Sequence, residues 1–183
     1  MTSYFDAVKA EFKDWKTAIL VIVFTVARVI FGYAWFEAGI VKATTWLSDG
    51  KLNSVGLIKG MVNNLAAAGH PDPLGITHWY GWVANIFFVN MMPGLTDVMV
   101  VACEIAVGLV MILGFKVFWG GLVAVFMNLQ FFAAGSYNNF GYVWTDLALM
   151  KFAKYAEMLG VSGYLSFKKN QRLLETGNKK QAA

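Results

Sequence analysis

Residues 17–41 read TAILVIVFTVARVIFGYAWFEAGIV. At about 1.5 Å of rise per residue, this stretch is long enough to cross a hydrocarbon core of about 30 Å. It carries Arg28 near its middle and Glu37 near its end. An ionised arginine at mid-membrane costs on the order of 3 kcal/mol or more unless something receives it. The stretch therefore predicts a bundle of apolar helices arranged to give Arg28 a partner.

The composition agrees with that expectation. Of 183 residues, 58% are hydrophobic and 14% charged, too apolar for an ordinary soluble domain and typical of a small multi-span membrane protein. The formal net charge is +4, with the basic residues concentrated at the two ends. That placement bears on membrane orientation and not on nucleic acid. A single cysteine, Cys103, excludes an internal disulfide and a cysteine-based metal or iron–sulfur site within the chain. Lys9, Lys13 and Lys16 precede a segment too long for the apolar region of a signal peptide, so the first span is expected to be retained.

Residues 1–16 form an expected amphipathic lead-in, with Phe5, Val8, Phe12 and Trp15 at helical spacing. In the first span, Arg28, Gly32, Trp35 and Gly39 share a face, and the glycines invite close approach of a neighbour. Glu37 lies about 180° from Arg28 and is expected to meet Lys42 or the following loop. Residues 42–94 hold three prolines and only short apolar runs. Two amphipathic helices are expected there, near 54–68 and 78–91, with the HPDP turn between them. The second is aromatic (Trp79, Tyr80, Trp82, Phe87, Phe88) and suits an ordered lid at a membrane interface.

Three more spans are expected at 95–114, 117–136 and 140–167. Asp97, Glu104, Gly108 and Met111 share one face of the second, and Gly121, Ala124, Asn128 and Gly135 one face of the third. Asp146, Met150, Ala153 and Glu157 line a face of the fourth. The fold class is thus all-α: an integral membrane four-helix bundle with an extracytoplasmic helical segment between spans one and two. Its domain organisation is a lead-in over 1–16, a membrane domain over 17–167 and a basic, frayed tail over 168–183. Lys9, Lys13, Lys16, Lys116, Lys168, Lys169 and Arg172 put both termini on the cytoplasmic side.

Depths counted along each span put Arg28, Glu104 and Asn128 at about one level, roughly 15–18 Å from the cytoplasmic end. An Arg28–Glu104 ion pair with Asn128 beside it is the expectation. Such a pair either fixes helix register or lines a polar pocket for a quinone or an anion, with Glu104 as proton acceptor. Cys103 reads as packing, and His70 and His78 are too isolated for a metal site. No phosphate-binding loop occurs, so neither a flavin nor a nucleotide is expected.

RVIFGYAWFEAGIVK at 28–42, CEIAVGLVMILGF at 103–115, FMNLQFFAAGS at 126–136 and KYAEMLG at 154–160 resemble the DoxX/DoxD-like membrane proteins. The resemblance covers residues 24–167, nearly the whole chain. It implies a four-helix membrane protein like the large subunit of thiosulfate:quinone oxidoreductase, which oxidises thiosulfate to tetrathionate, reduces quinone and works with a small partner subunit. The candidate catalytic residues are then Glu104 and Arg28. Arg28, Lys42, Asn128, Asp146 and Trp35 are the candidates for holding substrate or quinone. The expected pocket opens outward beneath the 78–91 helix, where Glu37, Asp97 and Asp146 lead inward. The alternative is a non-catalytic membrane anchor for a soluble redox or stress-response partner. Membrane lipid, quinone and a partner subunit are the expected partners; a metal and nucleic acid are not.

Overall fold

The computed structural model describes residues 3–48, 51–52, 76–91, 93–133, 136 and 138–181. The expected helix at 54–68, the HPDP turn and His70 lie outside them. Among the described residues the fold is helical apart from one two-residue antiparallel pair, β1 (Leu47–Ser48) with β2 (Lys51–Leu52).

Helix α1 (Tyr4–Glu11) starts on a capping box: Asp6 N–H donates to Ser3 Oγ, and Ser3 N–H to the Asp6 carboxylate. The long helix α2 (Trp15–Thr45) starts where the Asp14 carboxylate accepts from the backbone N–H groups of Lys16 and Thr17. After β2 come α3 (Ile76–Ala84) and, directly continuing it, a π-helical stretch at Asn85–Met91. Next are α4 (Pro93–Leu113) and α5 (Val117–Ala133), joined by a tight turn with positive φ at Gly114 and Lys116. Finally come α6 (Asn139–Lys151), α7 (Ala153–Met158) and α8 (Val161–Gln181).

Two helices, Trp15–Thr45 and Gly94–Leu113, are long and apolar enough to cross a membrane, and Val117–Phe132 is a shorter apolar helix. The most extensive packing is between α2 and α4, then between α5 and α6. Helices α2 and α4 run antiparallel at very close range. A Cβ on Gly32 would come within 2.7 Å of the Met111 Cβ, and one on Gly108 within 2.6 Å of Phe36. The core joins the two helix pairs through Phe31, Trp35, Val107, Met111, Met127 and Leu149. The shared face expected for Arg28, Gly32, Trp35 and Gly39 is the buried face of α2.

Two expectations need correction. The stretch 140–167 is not one helix. It breaks at Phe152, whose ring stacks on Phe24 at 4.4 Å, and turns again at Leu159 and Gly160. Nor is the tail frayed: α8 continues to Gln181. Its first turns are fastened by Tyr4, whose ring packs 5.6 Å from those of Tyr164 and Phe167. The N-terminal helix, the α4–α5 turn and the start of α8 therefore meet at one end of the bundle.

Candidate functional site: buried carboxyls and a capping arginine

Arg28 is 2% exposed and spends its donors on backbone carbonyls. Its Nε donates to Ala156 O at 2.7 Å, and its Nη1 to Met111 O and Ile112 O at 2.6 Å each. Its Nη2 reaches Leu159 O at 3.4 Å. These carbonyls belong to the last turns of α4 and α7, where a helix leaves acceptors unsatisfied and carries partial negative charge. The guanidinium thus joins the ends of two helices. Gly114, with φ of 63°, makes room for it: a Cβ there would meet the Arg28 Cζ at 2.7 Å. Around this junction Glu157 accepts from Val117 N–H at 2.5 Å, capping α5, and Ser162 Oγ accepts from Lys116 N–H at 2.7 Å. The Tyr4 hydroxyl donates to Met158 O.

The expected Arg28–Glu104 pair is not formed. Helix α2 has 31 residues and α4 has 21, so α2 overruns α4 by several turns. Arg28 consequently lies level with the end of α4 and not with its middle. Glu104 sits opposite Lys42, about 21 Å further along α2, and pairs with it. Glu104 is 1% exposed while the Lys42 side chain is 26% exposed, so the pair reaches from the interior to the surface. The second carboxylate oxygen of Glu104, Oε2, has no hydrogen-bond partner among the described residues. The Lys42 ammonium lies 5.2 Å from the centre of the Phe131 ring and 6.0 Å from that of Trp46.

Asn128 is also not beside Arg28. Its Nδ2 donates to Asp146 Oδ2 at 2.8 Å, and its Oδ1 accepts from Asn139 Nδ2 at 3.0 Å. Asn139 Oδ1 in turn accepts from Ser136 Oγ at 2.9 Å. A line of side-chain amides thus runs from exposed Ser136 to fully buried Asp146. Asp146 Oδ1 has no hydrogen-bond partner among the described residues. Phe131 is one turn from Asn128 on α5, which brings the Lys42–Glu104 pair and the Asp146 network to one part of the bundle.

Trp35 is buried in the apolar cluster, edge-on to Phe31 at 6.2 Å. Glu37 is exposed, and the lysine expected to meet it is taken by Glu104. Asp97 is fully buried on the same helix as Glu104. Helix α3 is fastened to α5 by the Tyr80 hydroxyl, which donates to Gln130. Burial pushes the Tyr80 phenol up to about 12. Trp79 and Trp82 of the same helix point outward. Among the described residues, no three His, Cys, Asp or Glu side chains gather as a metal ion would require.

Reading the residues singly missed the roles of Gly114, Glu157, Gly160, Ser162 and Asn139. The first four had a visible signal: a glycine and a lysine in a two-helix turn, facing a Glu–x–x–Gly–x–Ser stretch (157–162) at the end of another helix.

The chain matches no family model, no curated protein and no solved structure in the three comparisons made. What fold and site define together is a class: a small bundle of apolar helices that, among the described residues, buries a lysine–carboxylate pair and an amide-bound carboxyl.

Proposed function

We propose that the chain is a four-span membrane protein and the membrane subunit of a quinone-linked oxidoreductase, coupling thiosulfate oxidation to tetrathionate with quinone reduction. Large apolar side chains stand exposed along α2, α4, α5 and α6, among them Ile22, Val26, Ile30, Met99, Phe126 and Trp144. A face of that extent needs a covering, and lipid provides it. The basic residues of α1, of the α4–α5 turn and of α8 favour a cytoplasmic location for the end at which these elements meet.

One observation carries the functional reading: the Lys42–Glu104 pair, with Glu104 Oε2 unbonded among the described residues and Lys42 open to the surface. A buried ionisable pair inside a membrane bundle is expensive, and such groups mark substrate and proton paths. Lys42 offers a cation to a dianion arriving from outside. Glu104 offers a proton-carrying group where a quinone ring rests against Phe131 and Trp46. In the reaction, two thiosulfates each give up one electron and join through a new sulfur–sulfur bond. The quinone takes both electrons and two protons and leaves as hydroquinone. Glu104 passes protons; the electron path runs from the anion at Lys42 to the quinone. Arg28 takes no part in the chemistry, because its donors are committed to carbonyls.

The test is extraction: protein purified in mild detergent from quinone-containing membranes retains quinone, and Lys42→Met with Glu104→Leu retains much less. Parent protein free of quinone, and unable to bind added quinone, overturns the reading. Helix α8 favours a second reading. It runs to Gln181 with Leu173 and Leu174 exposed, and it suits docking of a soluble redox or stress-response partner on a non-catalytic anchor. On that reading, deletion of α8 beyond Phe167 abolishes partner binding, while Glu104→Gln changes nothing.

A further inference from the structure

Asp146 is a buried carboxyl for which the reaction scheme above has no use. It is fully buried where α6 packs on α5, and among the described residues no cation pairs with it. Helix α5 contains no charged residue at all. On α6 the other charge is Lys151, exposed and stacked over Phe152. On α7, Lys154 is exposed over Tyr155, and Glu157 caps α5. On α2, Arg28 is held by carbonyls, Lys42 by Glu104, Lys16 lies at the far end over Trp15, and Glu37 is exposed.

An ionised carboxylate taken out of water without a cation is among the costliest arrangements a protein interior can hold. One amide hydrogen bond, from Asn128 to Oδ2, does not offset it. A neutral carboxylic acid removes the cost. It fits the hydrogen bonding too: Oδ2 as the carbonyl oxygen accepting from Asn128, and Oδ1 as the hydroxyl. Oδ1, without a partner among the described residues, then becomes an O–H donor.

We propose that Asp146 is a neutral acid in the folded protein and presents its O–H from Oδ1 to a carbonyl-bearing ligand. Resting on the quinone reading above, that ligand is the oxidised quinone, bound through one carbonyl oxygen. Glu104 and Asp146 then have opposite parts. Glu104, facing an ammonium, is the charged acceptor, and Asp146, facing an amide, is the neutral donor. A pair of acids separated by environment in this way is how one site assigns acid and base roles.

Infrared spectroscopy and binding of a short-chain benzoquinone to the purified protein test this together. At neutral pH the parent shows a protonated-carboxyl band that is absent from Asp146→Asn and moves to lower frequency when the benzoquinone is added. Asp146→Asn keeps an N–H donor where Oδ1 was, so it binds the benzoquinone within about twofold of the parent. Asp146→Leu loses the donor and binds about tenfold more weakly, the size of one hydrogen bond. A band that survives in Asp146→Asn, a parent without the band, or parental affinity in Asp146→Leu overturns the proposal. A parent that shows the Asp146 band yet binds no benzoquinone overturns the quinone reading and the ligand assigned here, and leaves the neutral acid standing.

Discussion

The Nε of Arg28 donates to the carbonyl of Ala156 at 2.7 Å, across 128 residues of sequence. One cation on α2 thereby closes the ends of α4 and α7, and the bundle is latched at the end where α1 and α8 meet it. This contact assigns Arg28 to structure.

Arg28→Ala leaves those carbonyls without donors at two helix ends. Hydrogen bonds to a charged group are worth about 1.5–3 kcal/mol each, and several go at once, so a loss of about 3–5 kcal/mol or failed assembly is expected. Arg28→Lys keeps the charge but not the planar fork, and recovers part of that loss. Thermal melting in detergent measures both. Melting of Arg28→Ala at the parental temperature contradicts the latch.

Gly114 and Gly160 make a second contact at the same junction. A Cβ on Gly160 would lie 2.6 Å from the Gly114 carbonyl oxygen, backbone that has no rotamer to yield. Gly160→Ala is expected to cost about 1–3 kcal/mol, as overpacking does. Gly141, inside α6, has no described atom within 4 Å of the same position. Gly141→Ala therefore gains helix propensity, up to about 1 kcal/mol. The two alanines should move the melting temperature in opposite directions.

Tyr80 gives a pH signature. Its phenol is pushed up to about 12 from the ordinary 10.0 by burial against α5. Below pH 10 the phenol is neutral folded or unfolded, so this group adds no pH dependence. Between 10 and about 12 only the unfolded chain ionises, and stability falls as pH rises. Tyr80→Phe should abolish this alkaline loss and remove the last-titrating tyrosinate from the ultraviolet titration. If the tyrosinate lost in Tyr80→Phe is one that titrates near 10, α3 is not seated on the bundle as described.

Helices α2, α4 and α5 were legible because apolar run length and face periodicity state them directly. Residues 17–41 announced α2, and the shared face of Arg28, Gly32, Trp35 and Gly39 is the face that packs. The partners were less legible. Depth counted along each span placed Arg28 level with Glu104, but relative depth depends on how far α2 overruns α4, which only packing fixes. Backbone carbonyls have no residue signature, so the acceptors of Arg28 could not be read at all. The Lys42–Glu104 pair was within reach, since both residues were singled out and merely assigned to different levels. The break at Phe152 has neither glycine nor proline to signal it; its ring stacks on Phe24, a tertiary contact.

The pair itself admits a cycle. Lys42→Met leaves Glu104 buried without its cation, and Glu104→Gln leaves Lys42 without its carboxylate. Breaking one side of a buried pair costs about 3–5 kcal/mol, more than removing both. The double variant should therefore melt above Lys42→Met alone. Additive losses would show that the two side chains do not interact.

The central claim is that Glu104 passes the protons of quinone reduction. Thiosulfate-dependent quinone reduction, measured in membranes carrying the protein and the partner subunit proposed for it, tests it most directly when parent and Glu104→Gln are compared at matched levels of folded protein. The amide keeps the shape and loses the proton, so turnover should fall by about a hundredfold or more. Undiminished turnover in Glu104→Gln would contradict the account.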